Sequence, residues 1–117
     1  MEILLLPIGL ACVFASIAHG YLGQTRLIAP AEFPRGWARG FVSMIWQYST
    51  VTWATIGAFI AVSPWLLTAD ERRWAIPAAC LPILYGVIGN AIVSQGRHFG
   101  WMLFAAIIAA ASLVALL

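Results

Sequence analysis

The chain has 117 residues, of which 63% are hydrophobic and only 9% are charged, and its formal net charge is +2 at pH 7. Soluble globular domains carry about 25% charged residues, so this composition excludes an ordinary soluble domain. A net charge this small, without a basic stripe, also excludes nucleic acid as a partner.

Four long apolar segments fill almost the whole chain. Each is close to the roughly 20 residues that an α-helix needs to cross a hydrocarbon core of about 30 Å. We call them spans 1 to 4, in chain order residues 3–22, 40–62, 74–94 and 101–117. The sequence therefore predicts an all-α integral membrane protein with one transmembrane domain over residues 1–117. Because the connecting segments are short, we expect a four-helix bundle with up-down-up-down topology.

Arginine residues near the span ends predict the orientation in the membrane. Arg72 and Arg73 lie between spans 2 and 3, whereas four arginines lie on the opposite side, in loop 23–39 and turn 95–100. These four are Arg26, Arg35, Arg39 and Arg97. Positive charge favours the cytoplasmic side, so the loop and the turn are predicted to be cytoplasmic and both termini periplasmic. The same four side chains are expected to contact anionic lipid headgroups. The absence of lysine and the abundance of alanine favour a bacterial inner membrane.

Polar side chains within the spans are concentrated near the side predicted to be cytoplasmic. We call this set the polar slab; its members are Ser16, His19, Gln47, Asn90, Ser94 and His98. At 1.5 Å per residue, all lie within about 10 Å of that boundary. An unpaired amide or imidazole in hydrocarbon costs a few kcal/mol, so we expect these groups to hydrogen-bond across helices and fix helix register. They also suit contact with a lipid headgroup, a quinone or a partner.

Small and aromatic residues predict how the helices pack. Gly86 and Gly89 in span 3, and Ala105 and Ala109 in span 4, favour close packing of these two helices. Two indoles on span 2, those of Trp46 and Trp53, lie too deep for an interfacial belt and are expected to pack against another helix or protein.

Two local patterns concern span 3. Pro82 lies inside this span, where its missing N–H predicts a break or kink. Thr68 followed by Glu71 has the spacing of a capping box ahead of the helix.

The sequence contains none of the arrangements that support catalysis. There is no Ser-His-Asp order, no pair of carboxylates, no metal-ligand cluster and no glycine-rich phosphate loop. Cys12 and Cys80 lie in apolar spans without a CxxC spacing, so we expect inert thiols. The preferred interpretation is a non-enzymatic accessory or structural subunit that packs against a larger membrane complex. No metal or cofactor is expected.

Two alternatives stay open. A b-type haem needs two axial imidazoles at similar depth in a bundle, and His19 with His98 would be the pair. The same alternative includes a quinone as the ligand bound within the membrane. A transporter or channel formed by a homo-oligomer is the second alternative. The chain's length and helix count are similar to those of the small multidrug resistance family, whose transporters are dimers of four-helix chains. That family's membrane-embedded glutamate has no counterpart, because Glu2 lies at the very start of span 1.

Overall fold

The computed structural model describes residues 1–117, and every regular element in it is helical. Five α-helices follow one another: α1 (Leu5–Leu22), α2 (Gly36–Leu66), α3 (Ala69–Ala79), α4 (Leu81–Val93) and α5 (Phe99–Leu116). A 3₁₀ turn precedes α1, and a π-helical segment, Gly23–Ile28, continues it. The helical stretches long and apolar enough to cross a membrane are Glu2–Ile28, Gly36–Leu66, Ala69–Val93 and Phe99–Leu116. All four contain the predicted spans or nearly so, which confirms an all-helical protein with four helical stretches of membrane-spanning length and composition.

The third stretch is interrupted, as the sequence predicts. α3 ends at Ala79, Cys80 lies between the helices, and Pro82 falls in the first turn of α4. Because proline has no N–H to donate, the regular ladder stops here, and the Cys80 N–H is shared between the carbonyls of Ile76 and Pro77. The break divides one membrane-length helix into two shorter helices, α3 and α4.

The capping box ahead of α3 is also confirmed. The backbone N–H of Glu71 donates to Thr68 Oγ1 at 3.3 Å, and the Thr68 N–H donates to Glu71 Oε2 at 2.8 Å. Two of the N–H groups that a helix start leaves without partners are thereby satisfied.

The segment predicted as loop 23–39 is mostly helical. The π-helical segment runs to Ile28 and α2 begins at Gly36, four residues earlier than expected. The Arg39 side chain holds the short connection between the two helical segments in place. Its guanidinium donates to the carbonyls of Ile28, Ala29 and Ala31 at 3.1, 2.6 and 2.8 Å. Arg39 thus satisfies helix-end carbonyls and is itself exposed at this end of the protein.

The most extensive helix contact joins α1 and α2. A Cβ atom at Gly57 would lie 2.8 Å from the Gly9 carbonyl oxygen and 2.8 Å from the Val13 nitrogen, so only glycine fits at this crossing. A series of small buried residues continues the contact face along α1 and its extension: Gly9, Cys12, Ser16, Gly20 and Gly23. Close approach through small residues is how helices pack well where the solvent is lipid.

The predicted small-residue contact between spans 3 and 4 holds only in part. α4 and α5 do touch, and Ala105 is half-buried against the core. In contrast, a Cβ atom at Gly89 would meet nothing within 4 Å, and Ala109 is exposed. Gly86 faces Trp53 of α2 rather than α5. α5 buries three bulky side chains, those of Phe104, Ile107 and Ile108, together with the small residues Ala111 and Ala115.

At the end of the bundle that holds the N-terminus, a buried arginine connects the start of the chain to α3. Arg72 is buried and forms an ion pair with Glu2, and it also donates to the Leu67 carbonyl. The charge is therefore compensated by one carboxylate and one backbone oxygen, as a buried guanidinium requires. Arg73, by contrast, forms an exposed pair with Asp70.

Candidate functional site

A groove opens between α2 and α4, which touch each other at few points. We call it the α2–α4 groove. Its volume is about 540 Å³. α2 contributes residues spaced three and four apart, so one helical face lines the groove, and α4 does the same. The lining consists of His19, Val42, Ile45, Trp46, Tyr48, Ser49, Thr52, Trp53, Pro82, Tyr85, Gly86 and Asn90.

His19 of α1 reaches the inner end of this groove and is enclosed by aromatic rings. Its imidazole stacks on Trp46, with centroids 4.4 Å apart and an interplanar angle of 15°. Trp53 lies 4.7 Å away, and Phe104 of α5 meets the ring edge-on at 6.1 Å. Stacked and edge-to-face rings at such distances attract one another beyond their area burial. The two deep indoles of α2 thus contact a neighbouring helix of the same chain.

The carbonyls at the end of α1 fix α2 in register. Trp46 Nε1 donates to the His19 carbonyl at 3.1 Å, and Gln47 Nε2 donates to the Gly20 carbonyl at 3.2 Å. The switch from α- to π-helical bonding at Gly23 disturbs the ladder here, and the Gly23 N–H is divided between these same two carbonyls. Gly20 has no side chain that would keep α2 away. Local backbone irregularity and a glycine together permit both bonds.

The polar slab does not form the expected network between helices. Ser16 Oγ donates to the Cys12 carbonyl at 2.7 Å and Asn90 Nδ2 donates to the Gly86 carbonyl at 3.0 Å, each within its own helix. Short polar side chains can satisfy themselves on the preceding turn in this way. Gln47 is the member that donates to another helix.

Ser94 and His98 also bond locally, whereas His19 approaches a residue of α2. Ser94 Oγ accepts from the His98 N–H at 3.4 Å, and His98 Nδ1 accepts from the Gly100 N–H at 3.2 Å. His19 Nε2 lies 3.5 Å from Ser49 Oγ, at the long limit of hydrogen bonding. Slab residues therefore share one side of the bundle without forming one connected cluster.

A haem does not fit between the two histidines. His19 and His98 line a common cavity, but its volume is only about 10 Å³. That space suits roughly one water molecule. Two tryptophan rings also crowd the His19 imidazole, with centroids 4.4 Å away for Trp46 and 4.7 Å away for Trp53. The haem alternative therefore fails on space.

Two tyrosines in the groove escaped the sequence reasoning. Tyr48 on α2 is 73% exposed and Tyr85 on α4 is 83% exposed, and neither hydroxyl forms a hydrogen bond within the chain. Both lie within about 6 Å of the middle of their membrane-length helices, counting 1.5 Å per residue. Phenols prefer headgroup depth, so their mid-helix position in the sequence was the available indication.

The other arginines predicted to face headgroups, Arg26, Arg35 and Arg97, are all exposed. Both cysteines are buried and free. Cys12 Sγ lies 3.6 Å from the Trp53 carbonyl and takes part in the α1–α2 contact. Comparison with known protein families, with curated proteins and with solved structures gives no match for this chain.

Proposed function

We propose that this chain is a non-enzymatic four-span protein of a bacterial inner membrane with up-down-up-down topology. Loop 23–39 and turn 95–100 would be cytoplasmic and both termini periplasmic, on the basis of the arginine asymmetry. Exposed apolar side chains cover most of the helical surface, which suits a bilayer rather than water as solvent.

Within that setting the protein binds a lipid-soluble small molecule in the α2–α4 groove. The observation that carries this proposal is the groove itself, with its volume of about 540 Å³ and its aromatic lining. Sites for small molecules are typically 300–1,000 Å³ and apolar, with a few polar groups that orient the ligand. Here the polar groups are the phenols of Tyr48 and Tyr85, the hydroxyls of Ser49 and Thr52, the amide of Asn90 and the imidazole of His19.

The role that fits such a protein is that of an accessory subunit. It holds a hydrophobic molecule at the surface of a larger membrane complex and carries out no chemistry on it. No carboxylate, lysine or arginine lines the groove, and its one imidazole, that of His19, is enclosed by the rings of Trp46, Trp53 and Phe104. This favours retention of a neutral ligand over ion-coupled transport.

Organic extraction of the gently purified protein tests the binding proposal. We expect one lipid-soluble compound near a 1:1 ratio, identified by mass spectrometry. Ile45→Trp places extra volume in the groove and should remove this compound, whereas Ile17→Trp on α1 should not. The two isoleucines are matched in exposure, at 52% and 54%, but only Ile45 lines the groove. Equal retention by both variants would contradict the proposal.

Native electrophoresis of mildly solubilised membranes tests the accessory role separately. We expect the chain to migrate in a complex larger than a monomer, together with at least one other membrane protein identified by mass spectrometry. Migration as an isolated monomer would remove the accessory role and leave the ligand proposal to stand on the extraction experiment.

A further inference from the structure

The start of α5 is held by a single histidine side chain. His98 is the residue directly before the helix, and its Nδ1 accepts a hydrogen bond from the Gly100 N–H at 3.2 Å. Of the first three N–H groups of α5, only that of Gly100 has a partner within the chain. A helix start leaves N–H groups that need acceptors, so His98 serves as the N-cap of α5.

The turn between α4 and α5 holds the imidazole ring against the helix start. Ser94 Oγ accepts from the His98 N–H at 3.4 Å, and Trp101 Nε1 donates to the Gly96 carbonyl at 3.2 Å. A Cβ atom at Gly100 would lie 2.7 Å from Cε1 and 3.0 Å from Nδ1 of His98. The ring therefore lies directly against the glycine backbone, where its nitrogen can reach the N–H.

The charge state of the imidazole decides whether this hydrogen bond can form. Nδ1 accepts only while it carries no proton, because an imidazolium ion has two donors and no acceptor. Histidine is the side chain that ordinarily changes its charge between about pH 5 and pH 8. A protonated ring would also place a positive charge at the positive end of the helix dipole. Mild acid thus removes the acceptor and adds a repulsive charge at the same point.

The surroundings supply no acid that could compensate for this change. His98 forms no ion pair, and the first turn of α5 contains no acidic residue. Arg97 precedes it in the turn and adds a second positive charge. Helices α1, α2, α4 and α5 face His98 across the cavity of about 10 Å³, and the one titratable side chain that they contribute there is His19. Protonated His98 therefore gains no counter-charge in place of the lost hydrogen bond.

We propose that His98 is a pH-sensitive cap, whose neutral ring holds the first turn of α5 and whose protonation in mild acid releases that turn. The released segment is turn 95–100 together with the start of α5. Trp101 in this segment lines the small cavity beside His19, and His19 also lines the α2–α4 groove. Release therefore loosens the wall of the bundle next to the groove. The cap operates whether or not the groove holds a ligand.

Amide hydrogen exchange of the protein in nanodiscs, followed by NMR and corrected for the intrinsic effect of pH, tests the proposal. Between pH 8 and pH 5 we expect the protection of the Gly100 N–H to fall about fivefold, the usual contribution of an N-cap. The Glu71 N–H is the internal reference, because it donates to the hydroxyl of Thr68, which does not titrate in this range. Its protection should stay constant.

Variants at position 98 separate a titrating cap from a permanent one. His98→Asn supplies a carboxamide oxygen that accepts at either pH, so the Gly100 N–H should stay protected throughout. His98→Ala supplies no acceptor and should lose the protection at both pH values. Because His98 is exposed, neither change disturbs the core. His19→Gln removes the neighbouring imidazole and should leave the pH response of Gly100 intact.

A pH response of Gly100 that is present in the native chain and absent from His98→Asn supports the pH-sensitive cap. Its midpoint should coincide with the titration of the His98 ring, followed by the NMR signal of Cε1–H. Equal protection at pH 8 and pH 5 in the native chain overturns the proposal. A response that persists in His98→Asn, or that disappears in His19→Gln while Glu71 stays protected, assigns the titrating group elsewhere and overturns it as well.

Discussion

Replacing Gly57 by alanine tests the close backbone crossing of α1 and α2. The new Cβ would lie 2.8 Å from the Gly9 carbonyl oxygen, 2.8 Å from the Val13 nitrogen and 2.9 Å from Cys12 Cβ. Ordinary contacts of a Cβ begin near 3.4 Å. Two of the three neighbours are backbone atoms, which cannot rotate away, so α1 and α2 must separate by about 0.6 Å or more along this contact.

The cost of this separation can be put in numbers. Inserting one methyl group into a tightly packed contact typically costs about 1–3 kcal/mol. Alanine in place of glycine regains up to about 1 kcal/mol of helix propensity, which offsets part of the loss. We expect Gly57→Ala to lower the free energy of unfolding by about 1–2 kcal/mol.

Gly89→Ala is the matched control, because its Cβ would meet no atom within 4 Å and only the gain in helix propensity remains. We therefore expect the two substitutions to change stability in opposite directions. The assay is reversible unfolding in mixed micelles titrated with a denaturing detergent, followed by circular dichroism. Equal effects of Gly57→Ala and Gly89→Ala would refute the close crossing of α1 and α2.

Three further substitutions probe the polar contacts at the bundle ends. Glu2→Gln leaves a buried guanidinium without its counter-charge and should cost about 1 kcal/mol in the same assay, whereas Asp70→Asn, in an exposed pair, should change nothing measurable. Arg39→Gln removes the donor to three carbonyls and should speed proteolysis of the adjoining segment, whereas Arg35→Gln should not. Thr68→Ala removes the capping box and should lower stability by about 1 kcal/mol; unchanged stability would show that the cap contributes nothing.

The sequence predicts the helices and their breaks well, because these depend on local chemistry. Apolar length identifies the four stretches, Pro82 explains the break before α4, and Thr68 with Glu71 marks the start of α3. Helix ends were less predictable. α2 extends to Leu66 through Pro64, and the Ile60 carbonyl, which Pro64 leaves without its backbone donor, accepts from Ser63 Oγ at 2.8 Å.

Contacts between distant parts of the chain were the harder part. The Arg72–Glu2 pair joins residues 70 positions apart, and no local pattern indicates it. The α1–α2 crossing left a trace in the sequence, since Gly57 and Ala61 are spaced four apart, but alanine is so frequent that this spacing alone selects no face.

The residues of the candidate site were predictable from the sequence, but the way in which they come together was not. The sequence identified His19, Trp46 and Trp53 separately, but the stacking that unites them depends on the register between α1 and α2. That register is fixed by bonds to the His19 and Gly20 carbonyls, which become available where α-helical bonding changes to π-helical bonding. Nothing in the local composition predicts this change.

Cysteine accessibility in spheroplasts measures most directly whether the chain crosses the bilayer four times. Three exposed positions report on the three connections: Glu32→Cys, Asp70→Cys and Arg97→Cys. The native thiols are buried and should stay silent towards a membrane-impermeant maleimide. We expect labelling of position 70 in intact spheroplasts, and labelling of positions 32 and 97 only after permeabilisation. The reverse pattern would keep four crossings and invert the orientation, whereas labelling of all three positions from one side would contradict the four-span membrane protein itself.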